Sequence, residues 1–419
     1  MFSYREAFDR NIGWVTESEQ QALRTRRIAI AGLGGVGGAH VLALSRLGVG
    51  AFSLADFDNF EIQNFNRQAG ATVQTLGRAK LEVVSEMARS INPDIDIRGF
   101  SDGVHAGNLG RFLDGIDLYV DGLDFFVLEQ RRRVFEACAE RGIPAITVAP
   151  LGMGAALLVF MPGRMSFEQY FRLAGCSEAE QAARFLAGLS PSMLQLGYLV
   201  DPSRVDLGAR KGPSTVMACD LCAGIAATEA LKVLLGRGRV YVAPWGIHFD
   251  AYKNRLKRTW RPGGNAHPLQ RALIALARRR GRRALKRLRA ILDLARWAPS
   301  GDNSQPWRFE IRSPRHVVVH AIAPQLGVYD LEGHASLVSV GALLETLRIA
   351  ASADGFVVYT ALQSESGSDL ARIDVWLEPA PGLAADPLHA FILTRSVQRR
   401  PLHTRALDES TRKMLEAAA

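Results

Sequence analysis

The sequence predicts an α/β protein: a doubly wound parallel sheet in its N-terminal part, followed by a second, α+β domain. Three observations lead there. Residues 27–150 alternate short apolar runs with helical periods, the pattern of strands and crossover helices. A glycine-rich turn follows the first of those runs directly. Between residues 251 and 292 the charge pattern then changes abruptly.

Apolar runs at 27–31, 51–56, 95–99, 117–121 and 145–149 read as strands, with helices between several of them. The stretch between Arg141 and Arg164 carries no charge and is long enough to span a bilayer. Pro144, Pro150, Gly152, Gly154 and Pro162 interrupt it, so it reads as two buried strands joined by a loop. Residues 166–202 are rich in Glu, Gln, Arg and Leu and read as helical or irregular; 219–236 reads as a helix and 240–243 as a strand. After the Arg261-Pro262-Gly263-Gly264 punctuation, Leu269, Leu273 and Leu276 share one helical face, as do Leu285, Leu288 and Leu292. Gly281 stands between the two sets, which predicts a broken amphipathic linker. The expected domains are 1–250, a basic helical linker at 251–291, and 292–419.

The 419 residues carry a net charge of +9, which taken whole invites a nucleic-acid or membrane reading. Position removes that invitation. Residues 251–292 hold fourteen Lys and Arg and no acid, and the rest of the chain sums to −5. The basicity therefore reads as a solvated linker, with nucleic acid and membrane not expected as partners. Four cysteines are too few for a disulfide scaffold, and the first residues lack a signal-peptide pattern, so a reducing, cytoplasmic setting is expected.

Gly32, Gly34, Gly35 and Gly37 sit between the first strand and a helix. Such glycines permit a tight turn, and the helix N-terminus offers free N–H groups and a positive dipole end to phosphate. Asp56, at the end of the second strand, is placed for a ribose hydroxyl. NAD, FAD and ATP users all carry this fingerprint. Downstream stand Asn64, Arg67, Lys80, Asp121 and Asp124. A nicotinamide site has no use for an Arg, a Lys and a further Asp around phosphates, whereas cleaving ATP between its α and β phosphates does.

In order, Gly32–Gly37, the run 54–68 ending in Asn66-Arg67-Gln68, the Leu-Gly-Arg-Ala-Lys word ending at Lys80, the run 117–124, and the later Glu229-Ala230-Leu231-Lys232 resemble the ThiF/MoeB/HesA family. These are bacterial relatives of the ubiquitin-activating enzymes, and the resemblance spans roughly residues 8–236. It implies a Rossmann-like ATP-binding domain. The implied enzyme uses ATP and Mg²⁺ to adenylate the C-terminal carboxylate of a small ubiquitin-like carrier protein or peptide, releasing pyrophosphate. Carried over residue by residue, Gly34 and Gly37 cradle phosphate, Asp56 holds the ribose, Asn64, Arg67 and Lys80 contact the phosphates, and Asp124 is the magnesium carboxylate. Arg10, in Asp9-Arg10-Asn11-Ile12, matches the arginine that reaches the triphosphate from the second subunit of a homodimer.

Two features depart from that family. Zinc-bearing members have two Cys-x-x-Cys pairs; here only Cys219 and Cys222 form one, and tetrahedral zinc needs four ligands, so no zinc is expected. Near a helix N-terminus, Cys219 and Cys222 would have lowered thiol pKa values and are candidate nucleophiles, with Cys176 as a rival and plain helix packing as the bland alternative. Beyond Leu292, Pro299-Ser300-Gly301-Asp302-Asn303-Ser304-Gln305-Pro306-Trp307 resembles the nitroreductase family of FMN proteins. The resemblance implies Ser300, Asn303 and Gln305 at a flavin edge, and an FMN-dependent oxidoreductase as the alternative function. The arginine word that grips the FMN phosphate in that family is found, altered, only at 394–400, with Gln398 at an arginine position. The second domain therefore reads as a partial nitroreductase-like one.

Overall fold

Alternation of Ile and Ala in Arg27–Ala31 sends Ile28 and Ile30 into one core and Ala29 and Ala31 into another, so this strand must lie between two helical layers. The computed structural model describes residues 2–201, 204–205, 212–322, 330, 333–363, 369–396 and 406–418. Two compact units make up the chain, Met1–Arg283 and Ala284–Ala419.

In the first unit the strands are β1 (Arg27–Ala31), β2 (Ala51–Ala55), β3 (Asp96–Phe100), β4 (Leu118–Asp121), β5 (Ala145–Leu151), β6 (Gly154–Phe160), β7 (Trp245–Asp250) and β8 (Arg255–Trp260), in the order β3-β2-β1-β4-β5-β6-β7-β8. The first five run parallel, and the last three extend the sheet antiparallel. Helices Gly35–Arg46, Lys80–Ile91 and Val216–Leu235 cover one face. Leu128–Glu140, Phe167–Phe171 and Glu178–Leu189 cover the other, through a cluster of Phe135, Phe167, Phe171 and Phe185. The charge-free run is the β5–β6 hairpin, with Gly152 at its turn in the left-handed region.

Three expectations need correction. Residues 240–243 form no strand; Val242 makes a single bridge to Val159. The expected helical linker is partly sheet, because β8 pairs with β7 and its basic residues lie in solvent at the sheet edge. The next helix, Pro268–Ala295, runs unbroken through Gly281. One interior glycine costs only about 1 kcal/mol, too little by itself to break a helix.

The second unit holds β9 (Trp307–Ser313), β10 (His316–Ile322), β11 (Phe356–Gln363) and β12 (Asp369–Pro379), all antiparallel in the order β11-β12-β10-β9. Helix His334–Ser352 packs Leu343 and Leu347 against Val317, Val319 and Val375. By length and composition this helix could cross a membrane; half of it is buried in the unit's core. Of the altered arginine word, Arg395 donates to the Trp297 carbonyl, and residues 397–400 lie outside the described residues.

His40 lies fully buried on helix Gly35–Arg46, with neither ring nitrogen hydrogen-bonded. Desolvation lowers its pKa from 6.5 to about 3. The folded chain refuses a proton that the unfolded chain accepts, so this contribution is whole above the unfolded value and is lost as pH falls toward 3. Denaturant titrations at a series of pH values should show stability declining below pH 6.5, by up to about 1.4 kcal/mol per unit. His40→Leu should remove that part of the slope.

Candidate nucleotide-binding site

The site is built at the C-terminal ends of β1, β2 and β4. β1 ends in Gly32, whose φ of +81° turns the chain sharply while its N–H bonds the Ala55 carbonyl at 2.8 Å. A Cβ on Gly37 would stand 1.7 Å from the Gly32 carbonyl oxygen, and one on Gly122 would stand 2.3 Å from it. Gly37 and Gly122 are thus packing glycines, and no side chain fits at either. Gly34, which caps the helix, differs: a Cβ there meets nothing nearer than the Gln68 amide at 3.7 Å. Gly35 faces the Cys219 sulfur and the Arg67 stem. Of the glycines expected to cradle phosphate, Gly34 has the open approach, and Gly37 makes that approach possible.

Asp56 is buried and accepts from Leu33 N–H at 2.6 Å and Asp58 N–H at 2.8 Å. Burial raises its pKa, against the lowering effect of those two N–H groups. Its carboxylate thus braces the glycine loop from the end of β2. The buried Lys80 ammonium lies 2.9 Å from the half-exposed Asp58 carboxylate. The turn acid beside Asp56 is therefore the partner of Lys80.

Asn64 is occupied locally, accepting from Glu61 N–H at 2.9 Å and so closing the turn Ile62–Asn64. Half-buried Arg67 donates to the Gln63 carbonyl at 3.2 Å and to Asn66 Oδ1 at 2.9 Å, with its stem beside Gly35. Gln68 was not singled out from the sequence. It is buried, its amide nitrogen faces Gly34, and its Oε1 has no hydrogen-bond partner. Its signal was the place next to Arg67 in a word already marked for phosphate.

Asp124 is exposed and accepts from Phe126 N–H at 3.0 Å. A buried pair holds its loop. Asp121 accepts from Arg131 Nε at 2.7 Å, Thr147 Oγ1 at 2.9 Å and Tyr119 Oη at 3.2 Å. Arg131 in turn donates to the Leu123 and Phe125 carbonyls and lies over the Phe185 ring. An acid inside an apolar strand needs a buried cation, which was the sequence signal for this pair; nothing in the sequence picked Arg131 from its neighbours Arg132 and Arg133.

The cysteines depart from expectation. Cys219 and Cys222 lie in the first turns of helix Val216–Leu235, yet both are buried and burial raises both thiols. Desolvation is the largest cause at both. Only Cys219 touches the glycine loop, while Cys222 belongs to the core. Cys176 is half-buried and its thiol is also raised by burial.

Arg10 is exposed, next to Asn11, which donates to the Leu47 carbonyl at 3.3 Å. Leu47 lies beyond the far end of helix Gly35–Arg46, about 18 Å from the glycine loop, so the chain does not bring its own Arg10 to the site. In the second unit Ser300, Asn303 and Gln305 share one exposed turn: Gln305 N–H donates to Ser300 Oγ at 3.1 Å and its amide to Asn303 Oδ1 at 3.3 Å.

Residues 8–271 match the ThiF family model. Over 131 residues the chain is 34% identical to the tRNA threonylcarbamoyladenosine dehydratase of Haemophilus influenzae, covering 31% of this chain and 49% of that protein. Over 143 residues it is 31% identical to the sulfur carrier protein ThiS adenylyltransferase of Escherichia coli, covering 34% and 56%. The chain thus spans about half the length of these two curated relatives. A solved E. coli tRNA N6-threonylcarbamoyladenosine dehydratase in complex with AMP aligns with TM-score 0.42 and 24% identity, over 55% of this chain and 95% of that one.

The two kinds of glycine separate by experiment. Gly34→Ala should fold normally, by circular dichroism and melting, yet lose most ATP affinity by calorimetry. Gly37→Ala should fail to fold or melt far lower, because the methyl would overlap a backbone oxygen at 1.7 Å.

Proposed function

The chain belongs to the ThiF family, and from that premise we propose that its first unit uses ATP to adenylate the C-terminal carboxylate of a small ubiquitin-like carrier protein or a peptide. The observation that carries the reading is the division of labour among charges at one sheet edge. Asp121, Arg131 and Asp56 are buried in bracing the loops, whereas Lys80, Arg67 and Asp124 remain where a polyphosphate would meet them. One curated relative supports it in kind, named a sulfur carrier protein adenylyltransferase.

In this reading the open backbone at Gly34 and the N-terminus of helix Gly35–Arg46 bind phosphate oxygens. Asp56 accepts from a ribose hydroxyl. Lys80 exchanges its half-exposed partner Asp58 for phosphate, so that its buried ammonium keeps an anionic partner. Arg67 and the Gln68 amide hold the α-phosphate in line with the attacking carboxylate oxygen, and orientation of this kind supplies much of the barrier reduction. Pyrophosphate leaves as the acyl-adenylate forms. Asp124 would hold Mg²⁺, which when bound neutralises charge on the departing phosphates; one carboxylate suits an ion that takes its other ligands from phosphate and water. Arg10 serves the site of a second subunit in a homodimer.

A second reading rests on the turn at 300–305. Asp302, Asn303 and Gln305 all have φ between +48° and +57°, a left-handed run in non-glycine residues that concentrates at functional sites. There the second unit would hold FMN, with Ser300, Asn303 and Gln305 at the flavin edge, as a nitroreductase-like oxidoreductase. Purified protein with visible flavin absorbance and NAD(P)H turnover would favour it.

The primary reading is tested by carboxylate-dependent ATP–pyrophosphate exchange against a panel of glycine-ended carrier proteins and peptides. One member should support exchange, and Asp124→Ala should lower it by about 100-fold or more. Undiminished exchange in that variant would remove Asp124 from the site.

A further inference from the structure

The eight-stranded sheet ends on β8, whose outer edge has no neighbouring strand among the described residues. Such an edge presents unpaired N–H and C=O groups, and charged side chains are a common way of blunting it. Arg255, Lys257 and Arg258 fit that role. The apolar residues beside them do not: Leu256 is 59% exposed and Trp260 54%. Register puts Leu256, Arg258 and Trp260 on one face, opposite Phe249, Ile247 and Trp245 of β7. The Trp245 ring lies 6.2 Å from Trp260 and 5.7 Å from Tyr241, and Tyr241 is flanked by the Arg239 and Arg258 guanidinium groups at 4.7 and 5.3 Å. A merely protective edge has no use for this row, whereas Trp, Tyr and Arg supply most of the energy at protein interfaces.

Charge selects the occupant. Residues 251–292 contain no Asp or Glu, and among the described residues Arg239, Arg255, Lys257 and Arg258 form no salt bridge. A second copy pairing its own β8 about the strand centre would set Lys257 against Arg258 twice, and like charges directly opposite destabilise a ladder. We propose that the outer edge of β8 takes an extended acidic segment of a polypeptide partner as an added strand. Its carboxylates meet Arg255 and Lys257 on one face, and its apolar residues cover Leu256 and Trp260 on the other, beside Arg258.

The topology also gives this strand a direction. Arg255 pairs with Asp250, Asp250 with Gly154, and Gly154 with Leu151 at the end of β5, so the Arg255 end of β8 lies on the sheet edge that carries the glycine loop. A segment antiparallel to β8 leaves its C-terminus there. Six strand spacings, about 29 Å, separate the added strand from β1, which about nine extended residues cover. Resting on the proposed carboxylate activation, the docked segment belongs to the substrate, and its tail of that length delivers the terminal carboxylate to Gly34.

Binding is measured on the full chain without ATP, by tryptophan emission and calorimetry, using an eight-residue peptide of alternating Glu and Val as probe. Its comparators are the Lys-Val peptide, the Glu-Val peptide N-methylated at alternate residues, and single-stranded oligouridylate. The acidic peptide should bind one to one, and N-methylation, Lys257→Glu or Trp260→Ala should each weaken it about tenfold or more. Equal binding of the N-methylated peptide, binding of oligouridylate alone, or no binding would overturn the proposal. Exchange assays on glycine-ended peptides with tails of about three and about nine residues then isolate the second step, with only the longer tail expected to work. Binding with no exchange from either tail counts against carboxylate activation, and exchange without binding counts against the docking edge.

Discussion

The Gly32 carbonyl oxygen occupies space that a Cβ at either Gly37 or Gly122 would need. Three backbone segments meet at that atom: the turn after β1, the first turn of helix Gly35–Arg46, and the loop after β4. Without side chains between them they sit at backbone contact distance, and the rest of the site inherits its position from that contact. The helix N-terminus is aimed by it, Gly34 is left open above it, and Asp124 comes two residues after Gly122. A glycine fingerprint is commonly read as a phosphate cradle; here most of its glycines serve packing, and Gly34 is the one whose backbone that packing leaves uncovered.

Charge is distributed to match. Asp121 and Arg131 are almost fully buried with their hydrogen-bonding groups engaged. Such a pair adds little stability relative to an apolar one of the same shape, yet breaking it costs about 3–5 kcal/mol. It is understood better as a device for fixing the 122–127 loop than as a source of stability. Asp56 does the same for the glycine loop through Leu33 N–H. By contrast, among the described residues Lys80 pairs with half-exposed Asp58 and Arg67 with its own turn. The buried Asp121–Arg131 pair and Asp56 shape the loops, and in the proposed activity Lys80 and Arg67 are the charges that turn to a ligand.

Much of this was legible in the sequence. Short apolar runs alternating with helical periods over residues 27–150, and the glycine word after the first of them, carried the doubly wound sheet, and residues 8–271 match the family that the motifs resemble. The remainder depended on tertiary neighbours. Arg131 could not be told from two adjacent arginines until the helix was docked. A helix terminus left Cys219 and Cys222 open between nucleophile and packing residue, and burial raises both thiols. The basic block looked helical throughout because edge strands and solvated helices share a composition, and only pairing with β7 distinguishes Arg255–Trp260 from the helix Pro268–Ala295. Periodicity reports which face is buried, not what lies across from it.

The central claim is that this sheet edge joins a carboxylate to the α-phosphate of ATP. The most direct measurement labels the substrate carboxylate with heavy oxygen, lets the acyl-adenylate turn over, and tracks the label by mass spectrometry. One labelled oxygen in AMP is the result expected here. Label in inorganic phosphate, or AMP that carries none, would contradict the account.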